Sequence, residues 1–153
     1  MKSINPVTTL FFGFLFLVIL FTACTKIEGP GYTNEQTQYA LNPASEIGME
    51  GSITFTKRSD NSVIVTVQLK GTAEGCSHPT YIHANNSLEG GPAVLELNAV
   101  DGGTGVSETI VTSFSDETPL TYESLVSFIG HVKVHVSPGN LVDIIALGDI
   151  GPQ

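Results

Sequence analysis

Two stretches of strict alternation dominate the hydrophobic pattern. Ile47, Met49, Gly51, Ile53 and Phe55 alternate with Gly48, Glu50, Ser52, Thr54 and Thr56. Val63, Val65, Val67 and Leu69 alternate with Ile64, Thr66, Gln68 and Lys70. A period of two marks a strand with one buried face. Ser59-Asp60-Asn61-Ser62 supplies a turn between the two, which predicts a hairpin. Further strands are predicted over 80–85, 93–100, 105–114, 131–136 and 141–147. Asp101-Gly102-Gly103-Thr104 and Pro138-Gly139 provide turns between them. A short helix is predicted at 121–128, capped by Thr121, with Tyr122, Leu125, Val126 and Phe128 facing inward. Seven short strands with turn signals predict an all-β fold, an antiparallel sandwich or barrel.

The N-terminus follows a different pattern. Leu10 to Phe21 is an uncharged, mostly apolar run, preceded by the basic Lys2 and followed by Thr22, Ala23 and Cys24. A basic start, an apolar stretch and small residues at its exit form a secretory signal. A cysteine directly after the small residues points to a lipoprotein signal, in which the Cys24 thiol takes the lipid and becomes the new N-terminus. An ordinary cleaved signal and a membrane anchor are the alternatives. The uncharged span from Lys2 to Lys26 is long enough to cross a bilayer, which takes roughly 20 residues. Its densely apolar part is short, however, and the chain turns polar at once. The expected organisation is a signal peptide at 1–23, a flexible tether at 24–40 and one β-domain at 41–153. Gly29-Pro30-Gly31 and the polar run Thr33 to Gln38 make the tether poor in buryable surface. Thr25 follows Cys24 where an Asp would imply retention at the inner membrane. The expected location is therefore lipid-anchored at the outer membrane or cell surface of a Gram-negative bacterium, or facing its periplasm.

Charge and cysteine content narrow the classes. The chain has 153 residues, 6 Lys+Arg and 15 Asp+Glu, for a net charge of −9. Nucleic acid is excluded as a partner, because phosphates need a basic surface. Only two cysteines occur, Cys24 and Cys76. Lipidation of Cys24 leaves Cys76 unpaired, in which case it is expected as a small buried residue; without the lipid, a Cys24–Cys76 bridge is open. No Gly-x-Ser-x-Gly motif, phosphate loop or paired-carboxylate signature is present, and Glu89-Gly90-Gly91-Pro92 reads as a loop.

The four histidines, His78, His83, His131 and His135, form two clusters and are the candidate chemistry. Histidine is the commonest metal ligand and titrates near neutrality. Val132, Val134 and Val136 argue that 131–136 is a strand, with His131, Lys133 and His135 on its other face. Residues four apart on a strand lie roughly 13 Å apart, so His131 and His135 are not expected to share one metal. Tyr81 and His83 share a face of their own strand. Histidines on the outer faces of a β-domain also need no function at all.

Several motifs, taken together, resemble a known family. They are Ser77-His78-Pro79-Thr80-Tyr81-Ile82-His83, Glu89-Gly90-Gly91, Val100 to Gly105, Leu120 to Leu125, Val134-His135-Val136-Ser137 and Gly148-Asp149-Ile150-Gly151. In order and spacing, from about Ala40 to Gly151, the chain resembles small bacterial lipoproteins related to chordin-type (CHRD) domains and to Cu/Zn superoxide dismutase. The resemblance implies an antiparallel Greek-key β-sandwich with one short helix. Such dismutases hold copper on a His-x-His strand motif and a later strand histidine. His83 matches the second position of the first motif and His135 the later one, while Tyr81 replaces the other histidine. The resemblance therefore implies at most a degenerate copper site at His78, His83 and His135, not a working dismutase. The expected function is a membrane-anchored, non-catalytic binding module for a protein or small molecule. The competing expectation is a copper- or zinc-binding protein, in the limit a degenerate dismutase-like oxidoreductase.

Overall fold

The computed structural model describes residues 29–152. The predicted signal peptide, Cys24 and the start of the tether lie outside the described residues. The hairpin forms as the alternation predicts, from β2 (Gly51–Arg58) and β3 (Val63–Leu69). Ile53 lies opposite Val67 and Phe55 opposite Val65, and all four side chains are fully buried. The turn between them is held locally. Asp60 Oδ1 accepts the Ser62 amide at 3.1 Å, and Asn61 takes a left-handed backbone (φ 66°) that asparagine tolerates.

The chain begins its ordered course earlier than its composition implies. β1 spans Tyr32–Pro43, so residues 32–40, expected within the tether, are strand. The strand pairs with β2 from Gln36↔Thr56 to Leu41↔Gly51. Its side chains are mostly exposed; only Leu41 is buried. Ladder hydrogen bonds and a few cross-contacts hold it, rather than an apolar face. Thr37 Oγ1 lies 2.7 Å from the Tyr122 hydroxyl, and the Tyr39 ring sits 5.6 Å from Phe55.

The remaining strands are β4 (Ser77–Ala84), β5 (Ala93–Asp101), β6 (Val106–Val111), β7 (Gly130–Ser137) and β8 (Asn140–Ile150). A single short helix, α1 (Tyr122–Val126), precedes β7. Its start is set by a reciprocal cap: Thr121 Oγ1 accepts the Ser124 amide, and Ser124 Oγ accepts the Thr121 amide. Leu125 is the helix residue driven into the core.

All neighbouring strands are antiparallel and close in the order β1-β2-β3-β6-β5-β4-β7-β8. Two of the barrel's seams are thin. β1 meets β8 only through Asn42↔Leu147 and Pro43↔Ala146, and β5 meets β6 only at Asp101↔Val106. Between these seams, β1-β2-β3-β6 and β5-β4-β7-β8 face each other across one core. Phe55 is its largest fully buried member, followed by Leu41, Ile53, Ile82, Leu125, Ile145 and Ile150. The register also sorts the loops. Tyr32, the β2–β3 turn, the β4–β5 loop and the segment 112–129 lie at one end. The β1–β2 loop and the β3–β4, β5–β6 and β7–β8 connections lie at the other. Among the described residues no helix is long and apolar enough to cross a membrane.

Cys76 is exposed and free, not buried as expected. It sits in the β3–β4 connection, where its amide donates to the Ala73 carbonyl at 3.1 Å and its carbonyl accepts from Gly102 at 2.9 Å. The position is selected by its backbone bonds, so the thiol is left at the surface.

Candidate functional site

The histidines lie on β4 and β7, adjacent strands whose register decides which imidazoles meet. His83 is directly opposite His131, and Tyr81 is opposite Lys133. Opposed residues in an antiparallel pair share a face. Tyr81, His83, His131, Lys133 and His135 therefore occupy the face turned away from the core, as strand parity predicts. Val132 and Val134 take the core side, both fully buried. The His83 and His131 rings are stacked, with centroids 5.0 Å apart and planes 19° apart. Tyr81 stands edge-on to two imidazoles, 6.5 Å from His83 and 5.7 Å from His135.

His78 does not join them. It alternates with Thr80 and Ile82 on the inward side of β4 and is opposite Val100. The expected trio of His78, His83 and His135 is thus divided between the two faces of the sheet, His78 inward and His83 and His135 outward. The partner of His83 is instead His131, which its distance from His135 had set aside. That pairing depends on the β4–β7 register, which the spacing of residues within either strand does not contain.

The outer face is covered more fully than an outer face usually is. His131 is fully buried and His135 nearly so. The β4–β5 loop provides the cover over His83 and His131. His131 Nδ1–H donates to the Asn85 carbonyl at 2.8 Å, and His83 Nδ1–H donates to the Gly91 carbonyl at 3.0 Å. Asp149, opposite His131 on β8, accepts the Ser87 amide at 2.7 Å and its hydroxyl at 3.1 Å. Asn86 Oδ1 accepts the amides of Leu88 and Glu89. Gly91 is required here: a Cβ would run into the Ala84 carbonyl.

Each histidine keeps one ring nitrogen buried and without a partner: Nε2 of His78, His83 and His131, and Nδ1 of His135. With Nδ1–H donated to a carbonyl, Nε2 carries the lone pair, which is the tautomer that metal-binding histidines adopt. His78 is set the same way by the Val136 carbonyl at 2.9 Å. The imidazoles are therefore chemically suited to a soft or borderline cation. They do not converge as a set. Among the described residues no three His, Cys, Asp or Glu side chains come close enough to hold one metal ion.

No protein-family model and no curated protein matches this chain.

Burial disfavours the charged forms of His83 and His135. It pushes the His83 imidazole below its ordinary range, against the opposing Gly91 hydrogen bond, and the Lys133 ammonium and the neighbouring His131 ring disfavour its charged form further. Burial likewise lowers His135, followed by His83 and Lys133. The unfolded chain takes up protons on these residues near pH 6.5, while the folded one stays neutral there. Their contribution to stability is thus complete above about pH 6.5 and is lost as pH falls through the depressed folded values. The urea midpoint is expected to drop between pH 7.5 and 5.5, and to drop less in His83→Gln/His135→Gln. Equal pH dependence of the two proteins would show that the imidazoles do not govern it.

A second concave feature lies at the end of the barrel that also carries the β4–β5 loop. A cavity of about 380 Å³ is lined by Ala93, Val94, Phe114, Phe128 and the polar Ser115, Asp116 and Thr118. No sequence motif marked it, because its walls come from β5, the 112–120 segment and Phe128, the second residue after α1.

Proposed function

We propose that the chain is an exported lipoprotein whose β-barrel is a non-catalytic binding module, held at the membrane by lipid on Cys24. The carrying observation is the preformed, mainly apolar cleft that β5 and the 112–128 connection form at one end of the closed barrel. Sites for small molecules are typically concave, apolar and few per protein. The anchor rests on the apolar run ending in Thr22-Ala23-Cys24. The chain leaves that anchor through a short segment and enters β1 at Tyr32, so the cavity end of the barrel is the tethered end. The strand order supports a Greek-key sandwich of the chordin-domain and dismutase type, since β3 lies beside β6 and β4 beside β7. Outer membrane or cell surface of a Gram-negative bacterium is the proposed location.

Cys24→Ser is expected to release the protein from the membrane fraction or leave its signal uncleaved. Intact mass of the membrane-extracted wild type is expected to show the lipid on Cys24. An unmodified Cys24 would remove the anchor from the proposal.

A second reading is favoured by the unpartnered imidazole nitrogens. In it, the outer face of β4 and β7 holds a copper or zinc ion at His83 and His135, beside Tyr81. His78, on the inward side, would not share that ion. Metal titration is expected to give weakened binding in His83→Ala and in His135→Ala, with His131→Gln close to wild type. Equal binding by all four proteins, or none, would leave the binding module alone.

A further inference from the structure

We propose that the cavity floored by Phe114 and Phe128 and rimmed by Asp116 is a binding site for a small organic ammonium with an aromatic body. The proposal gives the binding module a site and a ligand class, and rests on that reading.

The size is right for such a ligand. About 380 Å³ falls in the usual range for small-molecule pockets, roughly 300–1,000 Å³. Its chemistry is divided. Ala93, Val94, Phe114 and Phe128 supply apolar wall, and Ser115, Asp116 and Thr118 are the polar part. The two phenylalanine rings have centroids 5.3 Å apart and planes tilted by 40°, so they form an angled aromatic corner. Aromatic faces attract ammonium groups, most strongly where water is displaced. Asp116 adds a full negative charge beside them. Hydrogen bonds from Thr118 hold its carboxyl below the usual carboxylate range, so it is ionised at neutral pH. No Lys or Arg lines the cavity. An anionic ligand would face an unpaired like charge there, which gives the site its selectivity.

The walls are set before any ligand arrives. Ser113 bridges to Pro119, and the Phe114 amide donates to the Thr118 carbonyl at 2.9 Å. Within this tight reversal Glu117 takes a left-handed backbone (φ 67°), and its amide donates to the Phe114 carbonyl at 3.0 Å. The Ser115 amide ties the segment to β5 through the Val94 carbonyl at 2.9 Å. At the other ring of the corner, the Phe128 amide donates to the Leu125 carbonyl of α1 at 3.2 Å. A preorganised site avoids the entropy of ordering its loops on binding.

The test uses the full chain, purified from membranes into nanodiscs, and three isosteric probes: 4-fluorophenethylammonium, 2-(4-fluorophenyl)ethanol and 4-fluorophenylacetate. Fluorine NMR reads binding, and the difference between variants in the same nanodiscs removes partition into lipid. The ammonium is expected to bind best, the alcohol more weakly and the acetate not at all. Asp116→Asn, an exposed change that leaves the fold intact, is expected to weaken the ammonium about threefold to fivefold and to leave the alcohol unchanged. Val142→Ser, at the other end of the barrel, is expected to change nothing. Equal binding of ammonium and acetate, or an Asp116→Asn protein identical to wild type, would overturn the assignment. If no probe binds but the protein from its native membrane carries another organic ligand, the pocket assignment falls and the binding module stands. If it carries none, both fall.

Discussion

Phe55→Ala is expected to cost about 3–5 kcal/mol, the range for deleting a large buried aromatic side chain. A domain of this size has about 5–15 kcal/mol to lose, so the variant should stand near the edge of folding. Phe55 is fully buried at the centre of β2, between Thr37 of β1 and Val65 of β3. It is also the residue against which Tyr39 packs, and Tyr39 belongs to a strand with little apolar burial of its own. Loss of the ring should therefore loosen β1 as well as leave a cavity. Urea unfolding followed by circular dichroism measures the cost, and hydrogen exchange of the β1 amides measures the loosening. Val142→Ala, at a side chain 87% exposed, serves as the comparison and should stay within about 0.5 kcal/mol of wild type. A Phe55→Ala protein within about 1 kcal/mol of wild type would mean that the core is not organised around β2.

The part of the fold legible in the sequence was the part where burial has a period. Ile53 and Phe55 with Val63, Val65 and Val67 alternate cleanly, and β2 and β3 follow with an inward face as predicted. Thr121 was legible as a cap because the Ser/Thr side chain that satisfies a first-turn amide is a local device. β1 was not legible. Its residues are polar and exposed, and what orders them is the edge that β2 offers, together with Tyr122 and Val126 of α1. Pairing with a distant strand leaves no mark in a segment's own composition. Ile47 shows the opposite failure. It continues the β2 alternation but lies in the β1–β2 loop, 68% exposed, because the strand begins only at Gly51. At the candidate site, parity along β4 and β7 placed Tyr81, His83 and His135 on one face. The His83–His131 stack comes from the β4–β7 register, a tertiary fact, whereas the inward turn of His78 follows from the strand alternation continuing through Pro79. The cavity was least legible of all, since Ala93, Phe114, Asp116 and Phe128 carry no shared spacing.

His131→Ala is expected to cost roughly 2–4 kcal/mol, more than an ordinary outer-face substitution in a β-domain. Three effects act together. The ring is fully buried, so its removal leaves a void beneath the β4–β5 loop. The His83 ring loses the face on which it stacks. The Asn85 carbonyl loses its imidazole donor at a residue already held in a left-handed backbone (φ 64°). The damage should be directional. The Ser87–Asp149 contacts hold the loop from its other side, so the barrel itself should remain folded while residues 85–91 gain mobility. Hydrogen exchange at the Ala84 and Asn85 amides, which donate to Pro92 and Ile129, reads this opening locally. His131→Gln retains an amide N–H able to reach the Asn85 carbonyl and should recover part of the loss. If His131→Ala keeps wild-type stability and loop protection, the imidazole is not what closes the loop, and its burial has another cause. If both variants lose equal stability, ring packing outweighs the hydrogen bond.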